Sequence, residues 1–516
     1  MKTPGFRVCQ SQQLGAPVSD PARGSAFVWR RVADRRSGSF AFAASAFSDF
    51  FRISSRFAGG FRISCLVALL LLCLLTPSWL SAQDLSSRPA RPAPAWVRDG
   101  AAYEIFPRNF SAEGNFNGIT ARLDELKDLG VTILWLMPIH PIGQKMRKGA
   151  LGSPYAVRDY YAINPDYGTE ADLKRLVAEA HKRQLKVILD MVANHTAWDN
   201  VMMKNPEFYK RDAKGNVIPP VPQWTDVAGL NYDNPKLREY MIAMFKHWID
   251  PAGFDLDGFR CDVAEMVPTS FWVQARAELT KVKPDFMLLA EASKPELFLE
   301  AFDLDYSWPL LSALNNVLLK SAPASELKRS WEESRQKFPK GSLHLRISDD
   351  HDEPRAIARF GLQGALAAST LMFSLDGVPL LYNGMEAGDT AESGDPALFE
   401  KVPIFWHPKD RPPLRQIYKE LLRLRKQYPA FRTDRVVWLS NSDEANLVTL
   451  MRLDDQDEFV VAINFSNRPI SGSVTVANAS EFRLVKIAGM PEPPGSGLAN
   501  LKLNGFEWRI YHRTVK

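Results

Sequence analysis

The chain has 516 residues, of which 46% are hydrophobic and 24% charged, as in a globular protein long enough for more than one domain. Its net charge of +5 comes from one end, because ten Lys/Arg and three Asp/Glu fall within residues 1–82 and leave 54 basic and 56 acidic residues after them. The body of the chain therefore offers no strongly basic surface, and we expect no nucleic-acid partner.

Residues 1–83 have the pattern of an N-terminal extension with a signal peptide. The apolar run ISCLVALLLLCLL (63–75) follows three arginines and precedes two small residues, namely Arg52, Arg56, Arg62, Ser81 and Ala82. This order is typical of a secretory signal, and thirteen apolar residues are short for a membrane span. We therefore predict an exported, periplasmic or extracellular protein with no stable membrane association after signal cleavage.

The apolar run begins only at residue 63, which is late for a signal peptide. We therefore expect translation to start nearer residue 60 than Met1, and an uncleaved signal anchor is the alternative. Three of the four cysteines also lie in this extension, so Cys261 is the single cysteine of the body and can form no disulfide within it.

The next part of the chain predicts a linker and then a barrel. Residues 84–98 begin with the Pro-, Ala- and Ser-rich run DLSSRPARPAPA, which is typical of a linker. Over residues 99–432, apolar runs alternate with amphipathic helical patterns. The eight runs are YEIF (103–106), VTILWLM (131–137), KVILDMV (186–192), LDGFRCD (256–262), FMLLAE (286–291), AFDLDY (301–306), LHLRIS (343–348) and VPLLY (378–382). Eight buried strands alternating with helices predict an α/β fold, the (β/α)8 TIM barrel.

Two further segments depart from this alternation. Residues 196–233, after the third strand, are rich in proline and aromatic residues and predict a short structured insert, which is usually functional in a compact fold. Residues 433–516 alternate apolar and polar residues without helical patterns, as in VVWLS and EFVVAINF. They predict a C-terminal antiparallel β-sandwich domain that packs against the barrel.

Acidic and basic side chains fall where the predicted strands end. The third strand carries Asp190, the fourth Arg260 and Asp262, the fifth ends in Glu291, and Asp352 follows the seventh. Each alone is compatible with loop capping. Because chemistry in such barrels sits at the carboxyl ends of the strands, we expect these groups to share one cleft.

Four short stretches make this pattern specific. They are DMVANH (190–195), GFRCD (258–262), LLAE (288–291) and DDHD (349–352), and they occur in this order with YEIFPRNF (103–110), SPYAVRDYYAINPDYGT (153–169) and GVPLLYNG (377–384) around them. With these motifs the chain resembles the α-amylase family of glycoside hydrolases from about residue 100 to its C-terminus.

The resemblance implies catalytic roles for three carboxyl groups. Asp262 would be the nucleophile, Glu291 the general acid and base, and Asp352 would bind sugar hydroxyls and help to distort the ring. Arg260 would hold Asp262 ionised, because a neighbouring cation lowers the pKa of a carboxyl group. Glu291 must instead carry a proton for the leaving oxygen. The reaction would retain configuration, with a covalent glycosyl–enzyme on Asp262 and the two carboxyl groups roughly 5–5.5 Å apart.

The resemblance also implies residues that bind the substrate. His195 and His351 would hydrogen-bond the reacting sugar, Tyr155 would stack beneath it, and Asp190 would support the cleft beside Arg260. Without the resemblance, Tyr155 would be interpreted as ordinary packing at the rim of a barrel. The expected partner is an α-glucan oligosaccharide or polysaccharide.

Calcium is the one cofactor that the resemblance raises. Asn194 matches a calcium-ligand position of calcium-binding members, and Asp199, Asp212 and Asp226 of the insert are available as its partners. Their spacing fixes no ligand set, and a loop-capping amide is the alternative for Asn194.

Two features separate this chain from many endo-acting amylases of the family. Where those carry Lys-His shortly after the nucleophile, this chain has Glu265 and Met266, which leaves the preferred substrate length open. The insert is also short, as in members that act on oligosaccharides. Its Trp198 and Trp224 are either sugar platforms or local core.

The sequence thus predicts a retaining hydrolase of α-1,4-glucosidic bonds in starch, glycogen or maltodextrins. A cyclomaltodextrinase, neopullulanase or maltogenic type of hydrolase, or an α-glucan transglycosylase, would use the same residues and is the alternative. A membrane-anchored ectodomain without activity is an alternative of another class. Such a protein is expected to lack the catalytic carboxylates, whereas Asp262, Glu291 and Asp352 are all present.

Overall fold

The computed structural model describes residues 84–391, 395–406, 414–491 and 497–515, without the side chains of residues 395 and 396. The predicted signal peptide and the expected translation start lie outside these residues.

Eight parallel strands close into a barrel in the order β1-β10-β9-β8-β7-β6-β3-β2, which confirms the predicted fold. Nearly all their side chains are buried, because the interior of such a barrel is packed and helices cover its outside. The first ten strands, of which β4 and β5 lie outside the barrel, are β1 (Ala102–Ile105), β2 (Ile133–Leu136), β3 (Lys186–Met191), β4 (His195–Ala197), β5 (Val227–Gly229), β6 (Gly258–Cys261), β7 (Met287–Ala290), β8 (Leu304–Tyr306), β9 (Leu343–Arg346) and β10 (Val378–Tyr382).

The helices are α1 (Ala95–Arg98), α2 (Pro107–Phe110), α3 (Phe116–Thr120), α4 (Leu123–Leu129), α5 (Glu170–Lys182), α6 (Pro235–Ile249), α7 (Thr269–Thr280), α8 (Leu297–Glu300), α9 (Trp308–Lys320), α10 (Ser325–Lys337), α11 (Ala356–Ser374), α12 (Asp395–Phe399) and α13 (Leu414–Gln427). Helix α5 illustrates how the sequence determines where a helix starts and which of its faces is buried. Thr169 and Asp172 form a reciprocal capping box at its start, and its periodic apolar residues are buried.

Helix α11 is the one helix of the described ranges that is long and apolar enough to cross a membrane. Most of its apolar stretch is buried inside the protein. A core helix of a soluble domain passes the same test, so this helix is weak evidence for a membrane span.

The insert after β3 is built on a small hairpin. Strands β4 and β5 pair antiparallel, with His195 opposite Gly229. The long connection after β2 packs against this hairpin, since the Ala197 N–H donates to the Val157 carbonyl oxygen at 2.9 Å. Insert and connection therefore form one wall at the carboxyl end of the barrel.

The C-terminal part forms two antiparallel sheets, as predicted. A five-stranded sheet has the order β11-β12-β13-β17-β15, and β14 pairs with β16. Along β13, alternate side chains face the second sheet and the barrel, so the five-stranded sheet is buried on both faces. The seven strands are β11 (Val436–Trp438), β12 (Leu447–Leu453), β13 (Asp457–Asn464), β14 (Ile470–Gly472), β15 (Arg483–Leu484), β16 (Leu501–Leu503) and β17 (Trp508–Thr514).

Residues 84–98, for which the composition predicts a linker, are anchored on the barrel. The N–H of Ala90 donates to the Lys340 carbonyl oxygen at 2.8 Å, and that of Arg91 to Phe298 at the same distance. The Arg91 guanidinium pairs with the buried carboxylate of Asp303. Proline-rich composition indicates an extended chain but not where such a chain lies, so this anchorage could not be predicted.

Candidate active site

The ends of β3, β6 and β7 bring the predicted catalytic groups together. Asp190 on β3 and Arg260 on β6 are register partners, so they stand at the same level of the barrel. Asp262 follows β6 directly, two residues after Arg260 and on the same face. Cys261, between them, points away from the cleft and is a free, buried thiol.

The guanidinium of Arg260 lies at the centre of the site and is fully buried. Its Nη1 is 2.9 Å from Oδ1 of Asp190 and 3.2 Å from Oδ1 of Asp262, and its Nη2 is 2.9 Å from Oε2 of Glu291. Its Nε–H donates to the Tyr306 hydroxyl at 3.2 Å. One cation therefore holds three carboxyl groups in place.

This sharing changes the expected charge of Asp262. Burial and the neighbouring Glu291 raise the pKa of Asp262 well above its usual value, although Arg260 acts in the opposite direction. Arg260 therefore lowers the pKa of Asp262, as expected, but burial and Glu291 outweigh it. The physical reason is that one guanidinium divides its charge among three buried carboxyl groups.

The two oxygens of Asp262 have different surroundings. Oδ1 is held by Arg260, whereas Oδ2 is buried and receives no hydrogen bond from any residue that the structure describes. Nε2 of His195 lies 3.9 Å from Oδ2, and burial lowers the pKa of His195 to about 4, so this ring is neutral near pH 7. Oδ2 is thus the oxygen left free to react.

Glu291 is held by a strained backbone. Its Oε2 accepts the N–H of Val263 at 2.8 Å in addition to the contact with Arg260. Val263 has φ 44° and ψ 43°, the left-handed region that β-branched residues rarely adopt. Because Oε2 already faces two donors, Oε1 is the oxygen on which Glu291 can carry a proton.

A second group of contacts joins Tyr155, His351 and Asp352. The Tyr155 hydroxyl donates to Oδ2 of Asp190 at 3.0 Å and lies 2.8 Å from Nε2 of His351. The rings of Tyr155 and His351 stack with centroids 5.4 Å apart. His351 Nε2 is also 3.2 Å from Oδ1 of Asp352, whose side chain remains 40% exposed. Asp352 is therefore open to a ligand while its neighbours are packed.

His351 is charged because of its carboxylate neighbours. Its Nδ1 is 2.5 Å from Oε1 of Glu104, a fully buried residue of β1. Burial alone would lower the pKa of His351, but Asp352 and Glu104 raise it to about 10. The imidazolium thus faces the cleft beside Arg260 as a second cation.

Three residues of this network carried no prediction: Glu104, Trp135 and Tyr306. The indole N–H of Trp135 donates to Oδ2 of Asp190 at 3.2 Å, and Tyr306 meets Arg260 as described. A signal existed for Glu104, because an acidic residue inside the buried strand YEIF requires a partner. The aromatic residues could not be told from ordinary barrel packing by sequence.

Comparison with known families agrees with this arrangement. The family model described as alpha amylase, catalytic domain, matches residues 94–215 and 223–403. The chain belongs to the alpha-amylase family. It is 29% identical over 407 residues to alpha-amylase MalA of Haloarcula japonica, covering 75% of this chain and 58% of MalA, so it spans little more than half of that relative.

Two other alpha-amylase family members are similar over more of their length. The cyclomaltodextrinase of Geobacillus thermopakistaniensis is 29% identical over 424 residues, which cover 73% of this chain and 70% of that enzyme. The crystal structure of the maltogenic alpha-amylase AmyB from Thermotoga neapolitana superimposes with a TM-score of 0.73 at 30% identity, covering 81% of this chain and all of that chain.

Calcium at Asn194 stays a prediction for this alpha-amylase family member, and the acidic residues available as its partners have other contacts. Asp199 accepts the N–H of Gln144, Asp212 caps its own turn, and Asp226 pairs with Lys148. The amide nitrogen of Asn194 lies 3.3 Å from Nδ1 of His195. Among the described residues no group of three or more His, Cys, Asp or Glu side chains is arranged to hold a metal ion.

The other residues singled out from the insert and the β6 loop have distinct positions. Trp198 donates its indole N–H to the Thr225 carbonyl oxygen at 2.9 Å and packs against the core. Trp224 is half-buried and meets the His195 ring edge-on, with centroids 5.5 Å apart, at the border of the site. Glu265 accepts the N–H of Ser293 at 3.4 Å, so it leans towards the loop that follows Glu291.

Proposed function

We propose that this alpha-amylase family member hydrolyses α-1,4-glucosidic bonds in short maltodextrins, including cyclic ones, with retention of configuration. The observation that carries the proposal is the contact of Asp262 and Glu291 with the same guanidinium, at 3.2 and 2.9 Å. Two carboxyl groups held by one planar fork lie close together. This supports the short separation that a retaining mechanism requires, in place of the wider gap that an inverting enzyme needs for its water.

In the first step, Oδ2 of Asp262 forms a bond to the anomeric carbon of the bound sugar. The bond from that carbon to the glycosidic oxygen breaks, and Glu291 donates the proton on Oε1 to the departing oxygen. In the second step a water molecule attacks the same carbon and gives its proton back to Glu291, which releases Asp262. Both residues thus return to their starting states.

The charges of the site support this sequence. Arg260 lies 3.2 Å from Asp262 and, as a neighbouring cation, favours its ionised form. His195 is neutral and can donate or accept a hydrogen bond from a sugar hydroxyl. Asp352, with its side chain 40% exposed, is available to bind hydroxyl groups of the same sugar.

Short substrates are favoured over starch for two reasons. Similar proteins include a cyclomaltodextrinase and a maltogenic alpha-amylase. Glu265 and Met266, whose side chains are half-buried, also stand at the sequence positions where many starch-degrading members have Lys-His. Starch-degrading α-amylase activity was the first prediction from sequence, and the names of these relatives favour the alternative.

The test is a product time course on β-cyclodextrin, maltoheptaose, soluble starch and pullulan, side by side. The expected result is faster cleavage of β-cyclodextrin and maltoheptaose than of starch, with products initially in the α-anomeric form by NMR. Faster cleavage of starch to a broad mixture of fragments would favour a starch-degrading α-amylase. Products longer than maltoheptaose would identify a transglycosylase.

Asp262→Asn is the control for this experiment, because it removes the nucleophile while keeping the shape of the side chain. Activity that persists in Asp262→Asn would show that another site acts on the substrate. Absence of cleavage with all four substrates would contradict the proposed function as a whole.

A further inference from the structure

Another group of chemically active side chains lies outside the cleft, between the barrel and helix α10. Asp305 on β8 and His344 on β9 are register partners, so their side chains stand beside each other on one face of the sheet. Tyr306, the residue after Asp305, contacts Arg260 inside the barrel. Because side chains alternate along a strand, Asp305 points outwards, towards the helices. The barrel wall therefore separates this group from the cleft around Arg260.

His344 lies between a carboxylate and a hydroxyl group. Its Nδ1 is 2.5 Å from Oδ1 of Asp305, and its Nε2 is 3.4 Å from Oγ of Ser334 on α10. Asp305 and His344 are both buried, and the imidazole packs edge-on against Phe298 and Phe338. A carboxylate only accepts hydrogen bonds, so Nδ1 carries the proton and the lone pair of Nε2 faces the Ser334 hydroxyl.

This order of hydroxyl, imidazole and carboxylate is the arrangement that activates a serine for attack on a carbonyl group. The imidazole accepts the hydroxyl proton, and the carboxylate fixes the tautomer of the ring and stabilises its charged form. The distance of 3.4 Å between Ser334 and His344 is long for such a hydrogen bond, and these contacts are commonly loose before a substrate binds. Geometry and tautomer thus both suit nucleophilic catalysis at Ser334.

A pocket of about 250 Å³ adjoins this hydroxyl, which distinguishes the group from a buried Asp–His pair that only stabilises the barrel. Its lining includes Ser334, His344, Ser330, Trp331 and Phe338. Ser330 stands one helical turn before Ser334, on the same face of α10. The buried hydroxyl of Ser330 has no hydrogen-bond partner among the residues that the structure describes. It is therefore available to donate to an oxygen that becomes negative during the reaction.

The dimensions of the pocket limit what can enter it. Sites for larger ligands typically enclose roughly 300–1,000 Å³, so this pocket suits a short acyl chain. The aromatic rings of Trp331 and Phe338 form apolar walls for such a chain, beside the two serine hydroxyls. The chemical class that matches these features is an ester of a short carboxylic acid.

We propose that Asp305, His344 and Ser334 form a second catalytic site, which hydrolyses short-chain acyl esters. Oγ of Ser334 forms a bond to the carbonyl carbon while its proton passes to Nε2 of His344, and the carbonyl oxygen takes up the electron pair beside the Ser330 hydroxyl. The carbonyl group reforms as the bond to the ester oxygen breaks, and His344 gives its proton to the departing alcohol. A water molecule repeats both steps on the acyl-serine, which releases the carboxylic acid and restores Ser334.

The test measures hydrolysis of p-nitrophenyl acetate by the full-length protein at pH 8. Burial raises the pKa of Asp305 to about 6, so its carboxylate is ionised at this pH. Ser334→Ala is expected to lower the rate at least about tenfold. Ser325→Ala, at an exposed serine at the start of the same helix, is the matched control and should retain the wild-type rate. Because residues of such a site act as a unit, Ser334→Ala/His344→Gln should lose no more activity than Ser334→Ala alone.

Reaction with a fluorophosphonate gives a second readout, because this reagent bonds to activated serines. Peptide mapping by mass spectrometry is expected to find the phosphonyl group on Ser334 of the wild type. Absence of label from Ser334 would overturn the proposal, and so would equal rates of p-nitrophenyl acetate hydrolysis by the wild type and a folded Ser334→Ala. If Ser334→Ala/His344→Gln does not fold, Ser334→Ala and the labelling decide. Ser334→Ala should cleave maltoheptaose as the wild type does, so either activity can fail without contradicting the other.

Discussion

Glu104 and His351 form a buried pair between β1 and the loop after β9, with Oε1 of Glu104 2.5 Å from Nδ1 of His351. The carboxylate fixes the ring so that Nε2 faces Asp352 and Tyr155. It also turns a residue that titrates near neutrality into a lasting cation of the cleft. This pair therefore links the first strand of the barrel to the charge of the substrate pocket.

The pair predicts a specific dependence of stability on pH. The pKa of His351 is raised to about 10 in the folded protein, from about 6.5 when unfolded. Protonation of this residue therefore stabilises the fold fully below about pH 6.5, and the contribution is lost as the pH rises to about 10. Urea unfolding of the wild type and Glu104→Gln between pH 6 and 10 measures this. The unfolding free energy should fall less steeply with pH in Glu104→Gln than in the wild type. Parallel pH profiles of the two proteins would contradict the raised pKa of His351.

Asp262→Asn is expected to lower the activity and to raise the thermal stability. Loss of the proposed nucleophile is expected to lower kcat by roughly 10⁴-fold or more. Because the pKa of Asp262 is raised in the fold, its ionised form destabilises the protein above the pKa of the unfolded chain, near 4. The neutral amide should therefore raise Tm at pH 7 and have little effect at pH 4. Differential scanning calorimetry at the two pH values measures the change in Tm. A lower Tm of Asp262→Asn than of the wild type at pH 7 would contradict the raised pKa of Asp262.

Arg260→Lys should be destabilising even though it keeps the positive charge. A single ammonium group cannot reach Asp190, Asp262 and Glu291 together as the planar guanidinium does. Leaving buried carboxyl groups unpaired is expected to cost about 3–5 kcal/mol of unfolding free energy. Chemical denaturation measures this value.

Arg91→Ala should loosen the segment before the barrel. The Arg91 guanidinium pairs with Asp303, which Arg276 also contacts. Removing it is expected to cost about 1–3 kcal/mol of stability and to expose residues 84–98 to proteases. Limited proteolysis followed by mass spectrometry detects the cleavage. Arg88→Ala, at an exposed side chain of the same segment, is the matched control. The protease is expected to cleave this variant no faster than the wild type.

Chelation should have little effect on this protein. The acidic residues of the insert are engaged with Gln144, Lys148 and their own turns, and the described residues contain no group of three or more His, Cys, Asp or Glu side chains that could hold a metal ion. Dialysis against EDTA is therefore expected to leave Tm and the rate of maltoheptaose hydrolysis unchanged. A drop in Tm that added calcium reverses would show that backbone oxygens complete a metal site there.

The barrel could be predicted because its strands are short apolar runs at regular intervals. The run VTILWLM predicted a strand over 131–137, and the structure has Ile133–Leu136. Similarly, KVILDMV was predicted over 186–192 and forms Lys186–Met191. Runs of this kind pack in a sheet that is covered on both faces, and eight of them alternating with helical patterns favour a barrel.

The residues of the site could be predicted from the sequence, but the sharing of Arg260 among their carboxyl groups could not. Strand ends placed Asp190, Arg260 and Asp262 in one cleft. The sequence could not show that Arg260 also contacts Glu291, or that burial and Glu291 together outweigh Arg260 at Asp262. Such sharing depends on distances of a few ångströms between strands that are remote in sequence, and local patterns carry no information about them.

Chemical modification of Cys261 can be used to measure how often the barrel opens. This thiol precedes Asp262 in the chain, is fully enclosed, and its pKa is raised well above the usual value by burial. An alkylating reagent can therefore reach it only when the barrel opens between β3 and β7, the neighbours of β6. Peptide mapping after timed alkylation follows Cys261 separately from Cys9, Cys65 and Cys73, and its half-time of modification would give the opening rate of the catalytic domain without a denaturant.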